Sequence, residues 1–474
     1  MYLLPALIQI LAVGPFPPPD AMPVLAPVWE RRFDRGVEWC APVGDGSDAA
    51  LLVCLKDARI DLFDAASGKS RLTEPAAVQP GVRFAGESGG VAFLYGSSSI
   101  QAIRAANDVA GSAAESPLLW RRPETPPPPS DDDPEYMKRI LAARATSNGV
   151  FVVMNDGRCA VLSAADGAER RRYELPNLAL CQLHTHGNTA ALWWKRGEDC
   201  AAALFDLSAK GAPPSIVDIA ETPPIWTGLI SSGRDEDGRV LAPGALIMIW
   251  PDRFAIVEEG GAVRTRRTPE RALVSARTVC LASSRREQTE RTGARLGAAT
   301  PLLVFATRAG GPWAYDLRAD EPAYGEPAAT RRAVRDPPPT SVKAVGAFLI
   351  EQGQAYVDVS VAKSGERVAS ITAEAAVIDA GIHDGAAYVL LQEQEHYLLH
   401  KLVLREGQAT TTGEWFRLKT AEESRASARA AVRPTDSPKI TQCDSIAGDL
   451  RRTIYLGDKL VIVEDDRIRA YTLP

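Results

Sequence analysis

Four groups of residues in this chain have types and spacings that could support chemistry. Gly86-Glu87-Ser88-Gly89-Gly90 has the Gly-x-Ser-x-Gly pattern of a nucleophile elbow, in which a serine on a sharp turn attacks a carbonyl. An elbow needs a helix directly after the serine, whereas Val91-Ala92-Phe93-Leu94-Tyr95 reads as a strand. A trypsin-like order needs a histidine before the serine, and all five histidines lie at position 184 or later, so a glycine-rich hairpin turn is the better reading. Asp131-Asp132-Asp133-Pro134-Glu135 and Asp235-Glu236-Asp237-Gly238 gather the hard oxygen donors that calcium prefers, but neither has the full loop spacing, and solvated acidic turns account for both. His184 and His186 fall on one face of a strand, as do His396 and His400; zinc needs three or four ligands, and the sequence places no third. The run from His396 to His400 also lacks the glutamate of a metalloprotease HExxH helix. The seven cysteines, Cys40, Cys54, Cys159, Cys181, Cys200, Cys280 and Cys443, contain no CxxC and no adjacent pair, which argues against a zinc site or a dense disulfide framework. Cys54 and Cys159 sit inside apolar runs and read as buried, inert thiols; Cys40 and Cys54 could cross-link if they lie on neighbouring strands in an oxidising compartment.

The elements that must hold such residues are repeated hairpins. Asp57-Ala58-Arg59-Ile60-Asp61-Leu62-Phe63-Asp64-Ala65-Ala66-Ser67-Gly68-Lys69 returns 99 residues later as Asp156-Gly157-Arg158-Cys159-Ala160-Val161-Leu162-Ser163-Ala164-Ala165-Asp166-Gly167-Ala168. Each copy is a turn, an alternating strand and a second turn closed by glycine, and each follows a compact apolar run. Hairpin signals recur near 49–64, 90–105, 149–163, 189–206, 245–258, 301–317, 346–360, 386–404 and 459–472. Their even spacing matches one four-stranded propeller blade per hairpin. The expected fold is therefore all-β: a single β-propeller of about eight four-stranded blades, with seven to nine allowed. The 99-residue interval spans two of them.

The final hairpin, through Lys459–Val463 and Ile468–Thr472, has no room for an outer strand, and Pro27-Val28-Trp29-Glu30-Arg31-Arg32-Phe33 could supply it, closing the ring with strands from both termini. Helical candidates are Asp133–Ala143 and Thr420–Val432. Insertions near 123–136, 283–300, 331–340 and 420–440 are expected as exposed loops on one face of the disc.

The chain of 474 residues is 45% hydrophobic and 24% charged, enough for a substantial core, and its net charge of −6 provides no field for nucleic acid. Arginine clusters at 170–172, 264–267 and 331–332 read as solvated outer-strand faces. Residues 1–24 form an apolar leader and proline-rich linker: Leu3–Gly14 has signal-peptide length but no basic residue precedes it, and export to the periplasm or exterior is favoured over a cytoplasmic location. The propeller is assigned to 25–474, with no other segment apolar enough for a transmembrane helix.

These repeats resemble the quinoprotein-like (PQQ-like) β-propeller superfamily of bacterial proteins. Its repeat is a turn, a strand of the form Gly-x-apolar-x-Ala-apolar-Asp, a Thr/Ser-Gly turn and an outer-strand tryptophan. The matching turn positions are Asp57, Asp64 and Gly68 in one copy and Asp156, Gly157 and Gly167 in the other; Trp29, Trp120 and Trp415 take the outer-strand place. The resemblance implies that these tryptophans pack between blades. Trp39, Trp193, Trp194, Trp226, Trp250 and Trp313 read as core or inter-blade packing. The dehydrogenases of the superfamily hold a quinone beside a vicinal disulfide and calcium; no Cys-Cys pair exists here, so no cofactor is expected. The combined reading is a monomeric, non-catalytic scaffold that binds another protein, or a ligand, through its top face and insertion loops. An enzyme with a central-channel site, carbohydrate-active or dehydrogenase-type, is the alternative, and an envelope-assembly propeller a second one.

Overall fold

The computed structural model describes residues 19–44, 49–72, 74–105, 118–123, 139–176, 178, 180–208, 213–219, 222–230, 233–234, 240–242, 244–283, 301–308, 311–324, 338–372, 375–393, 396–404, 413–419 and 452–474. Nine four-stranded antiparallel meanders dominate, and the only helix among the described residues is a single 3-10 turn, Pro19–Ala21. We number these blades along the chain: 37–77, 83–122, 140–174, 181–219, 226–267, 279–324, 341–372, 376–418 and 452–472. Each has the strand order of a propeller blade. In the ninth, the first three strands are Arg452–Leu456, Lys459–Val463 and Arg467–Thr472, and the fourth is Trp29–Arg32, with Trp29 opposite Ala470 and Arg32 opposite Arg467. The expected two-terminus blade therefore forms.

The chain divides into two compact units. Blades 9 and 1 to 5 make one, Val28–Glu270 with Gly448–Leu473; blades 6 to 8 make the other, Arg271–Ala447 with the first 27 residues and Pro474. Within each unit, apolar clusters fill the spaces between consecutive blades. Val53 and Val461 belong to the cluster between blades 9 and 1, Leu52 and Leu94 to that between blades 1 and 2, and Ile350 and Val389 to that between blades 7 and 8. A strand buried on both faces must be apolar at every position, and Ala50–Leu55 is buried at all six. Each fully buried Leu, Val or Phe contributes about 1.5–3 kcal/mol.

Nine blades replace the expected eight. All nine hairpin signals coincide with the second and third strands of a blade. A blade needs only that doubly buried hairpin, so nine, the upper end of the expected range, form without the glycine and tryptophan signature at every joint.

Three further expectations are corrected. Leu141, Ala142 and Ala143, placed in a candidate helix, lie in the strand Ile140–Thr146. Ala143 is fully buried and a Cβ on Gly86 would come within 2.9 Å of the Ala145 Cβ, so close packing of two first strands selects these small residues over their helical propensity. Cys40 and Cys54 are on neighbouring strands, but Cys40 opposes Val53 and joins the cluster towards blade 9, whereas Cys54 joins the cluster towards blade 2. Their thiols occupy opposite faces of the sheet and cannot bridge. The insertions also do not leave from one face: in the unit of blades 6 to 8, the strands flanking 283–300 are the first and second of blade 6, while those flanking 331–340 are the fourth of blade 6 and the first of blade 7, at the opposite strand ends; residues 124–136, 284–300 and 331–337 themselves lie outside the described residues. The leader up to residue 18, both acidic runs, Arg331-Arg332, Thr420–Val432 and Cys443 lie outside the described residues.

Candidate functional site

The repeat positions form joints between blades. Trp29 donates its indole N–H to Ala65 O at 3.0 Å, and a Cβ on Gly68, whose φ is +63°, would overlap the Trp29 ring. Trp120 repeats this on the next-but-one joint: its Nε1 donates to Ala164 O at 2.8 Å, and a Cβ on Gly167 would lie 2.7 Å from the ring. Asp64 shapes the turn closed by Gly68, accepting from the Ser67 amide and hydroxyl and from Arg71. Asp57 pairs with Arg59 and Asp156 with Arg158. A Cβ on Gly157 would overlap Leu175 O, while the equivalent Ala58 takes a φ of +60°.

A third joint has no tryptophan. Tyr324, on the fourth strand of blade 6, donates its hydroxyl to Ala362 O at 2.8 Å, and a Cβ on Gly365 would lie 2.5 Å from its ring. Ala362 and Gly365 have the same three-residue offset as Ala65 and Gly68, so Ala362-Lys363-Ser364-Gly365 was the signal in the sequence. Trp415 takes a different place: it stacks on His400 of its own blade, with centroids 4.0 Å apart and planes at 17°, and packs against the cluster between blades 7 and 8.

The residues suited to chemistry are also used in joining blades. At the strand ends where first and second strands turn, Glu87 accepts from the Gly44 amide of blade 1 at 2.5 Å and from its own turn's Gly90 amide at 3.1 Å. Ser88 donates forward to Ser147 O of blade 3 at 2.9 Å, the Ser147 amide donates to Gly187 O of blade 4, and Thr185 donates back to Ala145 O. The Gly-Glu-Ser-Gly-Gly run is thus a hairpin turn whose polar side chains clamp three blades in sequence.

His184 Nε2 lies 2.6 Å from Thr227 Oγ1 on blade 5. The Thr227 hydroxyl hydrogen is engaged with Gln182 Oε1 at 3.0 Å, so His184 is the donor and carries its proton on Nε2. Gln182 Oε1 also accepts from the Trp193 indole at 3.2 Å. Burial, reinforced by the positive charge of Arg144, pushes His184 down to about 4. Burial does the same to His400, also to about 4, with the Gly413 backbone opposing it. His400 lies four strand positions after His396, roughly 13 Å along the strand, too far for one ion. Among the described residues no three His, Cys, Asp or Glu side chains gather to hold a metal. Burial raises the thiols of Cys54 and Cys159 to about 12, the inert state.

Arg170, Arg171 and Arg172 lie on the fourth strand of blade 3, Glu169–Glu174, and Arg264, Arg266 and Arg267 on that of blade 5, Val263–Arg267. Leu180 and Ile225 are among the exposed large apolar side chains. Leu180 and Ile225 each immediately precede the first strand of consecutive blades, 4 and 5, and are 51% and 41% exposed. Lys195 N donates to Leu180 O, and Ile225 N to Ile249 O, so both segments are tied to the second strands of their blades. Half-buried Pro223, Pro224 and Trp226 flank Ile225. No helix among the described residues is long and apolar enough to cross a membrane.

No protein-family model matches this chain, and no curated protein sequence matches it significantly. Solved structures similar to it include BamB from Moraxella catarrhalis, at 12% identity and a TM-score of 0.40 over 94% of this chain and 99% of that one. The WD40 domain of SCAP from fission yeast is 10% identical with a TM-score of 0.45, over 94% and 97%. Dihydro-heme d1 dehydrogenase NirN in complex with DHE is 10% identical with a TM-score of 0.42, over 77% and 72%. None reaches 0.5, so the assignment of blades rests on the strand order and register above.

Proposed function

We propose that this chain is a non-catalytic propeller scaffold of the quinoprotein-like repeat type that docks another protein at its blade rims. The observation that carries the proposal is the exposure of Leu180 and Ile225, each beside the first strand of neighbouring blades. Isolated exposed apolar residues are ordinary, but two at the starts of neighbouring blades, on a backbone held by hydrogen bonds and with prolines and a tryptophan beside Ile225, make an apolar contact of the kind that anchors interfaces. The engagement of Glu87, Ser88 and His184 in blade joints supports the non-catalytic part. The Trp29–Gly68 and Trp120–Gly167 joints support the repeat type.

The test is affinity capture from the native host with the unaltered chain and with a Leu180→Asp/Ile225→Asp double variant. A protein retained by the unaltered chain and lost from a double variant of unchanged circular dichroism supports the proposal. Equal retention by both overturns the rim assignment, and substrate turnover by a metal-loaded chain overturns the non-catalytic reading.

A further inference from the structure

The outer strand of blade 5 pairs on one side only. The third and fourth strands of this blade, Arg253–Glu258 and Val263–Arg267, set Phe254 opposite Arg266 and Ile256 opposite Arg264. Trp250 N donates to Arg253 O across the turn before them, while Glu258 N donates to Ala262 O and Thr268 N to Asp252 O. Hydrogen-bonded pairs alternate along an antiparallel ladder, so Arg264 and Arg266 turn their backbone groups towards the third strand. Val263, Thr265 and Arg267 turn theirs away from the blade, and none of their three N–H groups has an acceptor among the described residues. All three side chains are exposed, Val263 by 42%.

Charge decides what can pair there. The two strands carry four arginines, Arg253, Arg264, Arg266 and Arg267, against the single acid Glu258. Arg264 meets Glu258 at 2.7 Å, Arg253 meets Asp252 of the turn at 3.0 Å, and Arg266 Nη1 donates to Thr265 O at 2.8 Å. Arg267 lies directly opposite Arg253, a like-charge pair that a further carboxylate would stabilise. A second copy of this edge would set three arginines against three, so charge opposes self-association and favours an acidic strand. The fold accepts a fifth strand elsewhere: in blade 8, Val24–Leu25 pairs in parallel with the outer strand Glu414–Leu418.

We propose that an extended, acidic segment of a partner protein adds to the edge of blade 5 as a fifth strand, hydrogen-bonding Val263, Thr265 and Arg267 and setting its carboxylates beside the arginines. The proposal rests on the reading of this chain as a docking scaffold and names the chemistry of its partner. The rung Trp226–Ile249–Phe254–Arg266 crosses the blade, so Arg267 and Ile225 lie at the same strand ends of blade 5.

The probe is a short fluorescein-labelled peptide of alternating glutamate and valine, titrated by anisotropy against the full chain. Binding is expected, together with slower hydrogen exchange at the Val263, Thr265 and Arg267 amides, and a lysine–valine peptide should bind more weakly by about tenfold or more. Thr265→Pro removes an outward N–H and no bond of the ladder, so the blade is expected to stay folded while the peptide binds about tenfold more weakly. Arg267→Glu should weaken binding as well, and with the amide exchange it carries the test if Thr265→Pro fails to fold. Absence of peptide binding, or binding that protects none of the three amides, overturns the proposal. Affinity that falls in Arg267→Glu but not in a folded Thr265→Pro also overturns it, because the peptide is then held by charge alone. A partner captured through Leu180 and Ile225 beside a peptide that does not bind overturns the strand site alone, and peptide binding beside equal partner retention by the Leu180→Asp/Ile225→Asp variant overturns the rim alone.

Discussion

Acid should loosen blade 8 through His400, and the effect can be worked out in advance. The imidazole is 1% exposed, stacked on Trp415, and burial holds it near 4, against an ordinary 6.5 in the unfolded chain. A histidine whose folded value is depressed binds its proton more readily when unfolded. Its contribution is therefore fully present above pH 6.5 and is lost as pH falls towards 4. For these two values, linkage gives a loss of about 2 kcal/mol between pH 7.5 and pH 5.0, rising to about 3 kcal/mol near pH 4. His400→Phe keeps a flat ring on Trp415 and removes the titration. Urea unfolding of both proteins across this range, followed by circular dichroism, should show the variant's stability falling by about 2 kcal/mol less than the parent's at pH 5.0. Parallel profiles for the two proteins would refute the assignment of acid sensitivity to the buried ring.

Trp120→Ala and Gly167→Ala should each destabilise by about 2 kcal/mol or more, and the double variant by clearly less than their sum, since the added methyl no longer meets a ring; additive losses in chemical denaturation would contradict the joint. Ala58→Gly should stabilise by up to about 1 kcal/mol by relieving a left-handed alanine, read as a rise in the urea midpoint. A chain ending at Tyr455 lacks the hairpin that Trp29–Arg32 completes, and calorimetry should show no sharp transition; a sharp melt near the full-length temperature would show that this blade is not required.

The blade hairpins were legible because both faces of their strands are buried, which forces uninterrupted apolar runs such as Leu51-Leu52-Val53-Cys54-Leu55 between turn residues. The strand from the chain start was legible because the last hairpin lacked a partner. First strands were harder to read: Ile140–Thr146 is rich in alanine because its neighbour approaches closely, and alanine looks helical when that neighbour is unseen. Tyr324 was missed because a phenol hydroxyl replaces an indole N–H as donor to the same carbonyl, an equivalence that only the contact reveals. The roles of Glu87 and His184 were hidden for a related reason, since their partners Gly44 and Thr227 lie 43 residues away. The rim pair Leu180 and Ile225 carries no local signature; exposure, which decides its meaning, is a property of the folded surface.

The ninth blade also sets a timetable. Trp29 pairs with Ala470, about 440 residues later, so its strand is made early and completed last. At ribosomal rates of about 5–20 residues per second, that strand waits roughly 20–90 seconds for its partner. An unpaired edge of that lifetime invites association with other nascent chains, and the charges of Glu30, Arg31 and Arg32 beside Trp29 oppose it.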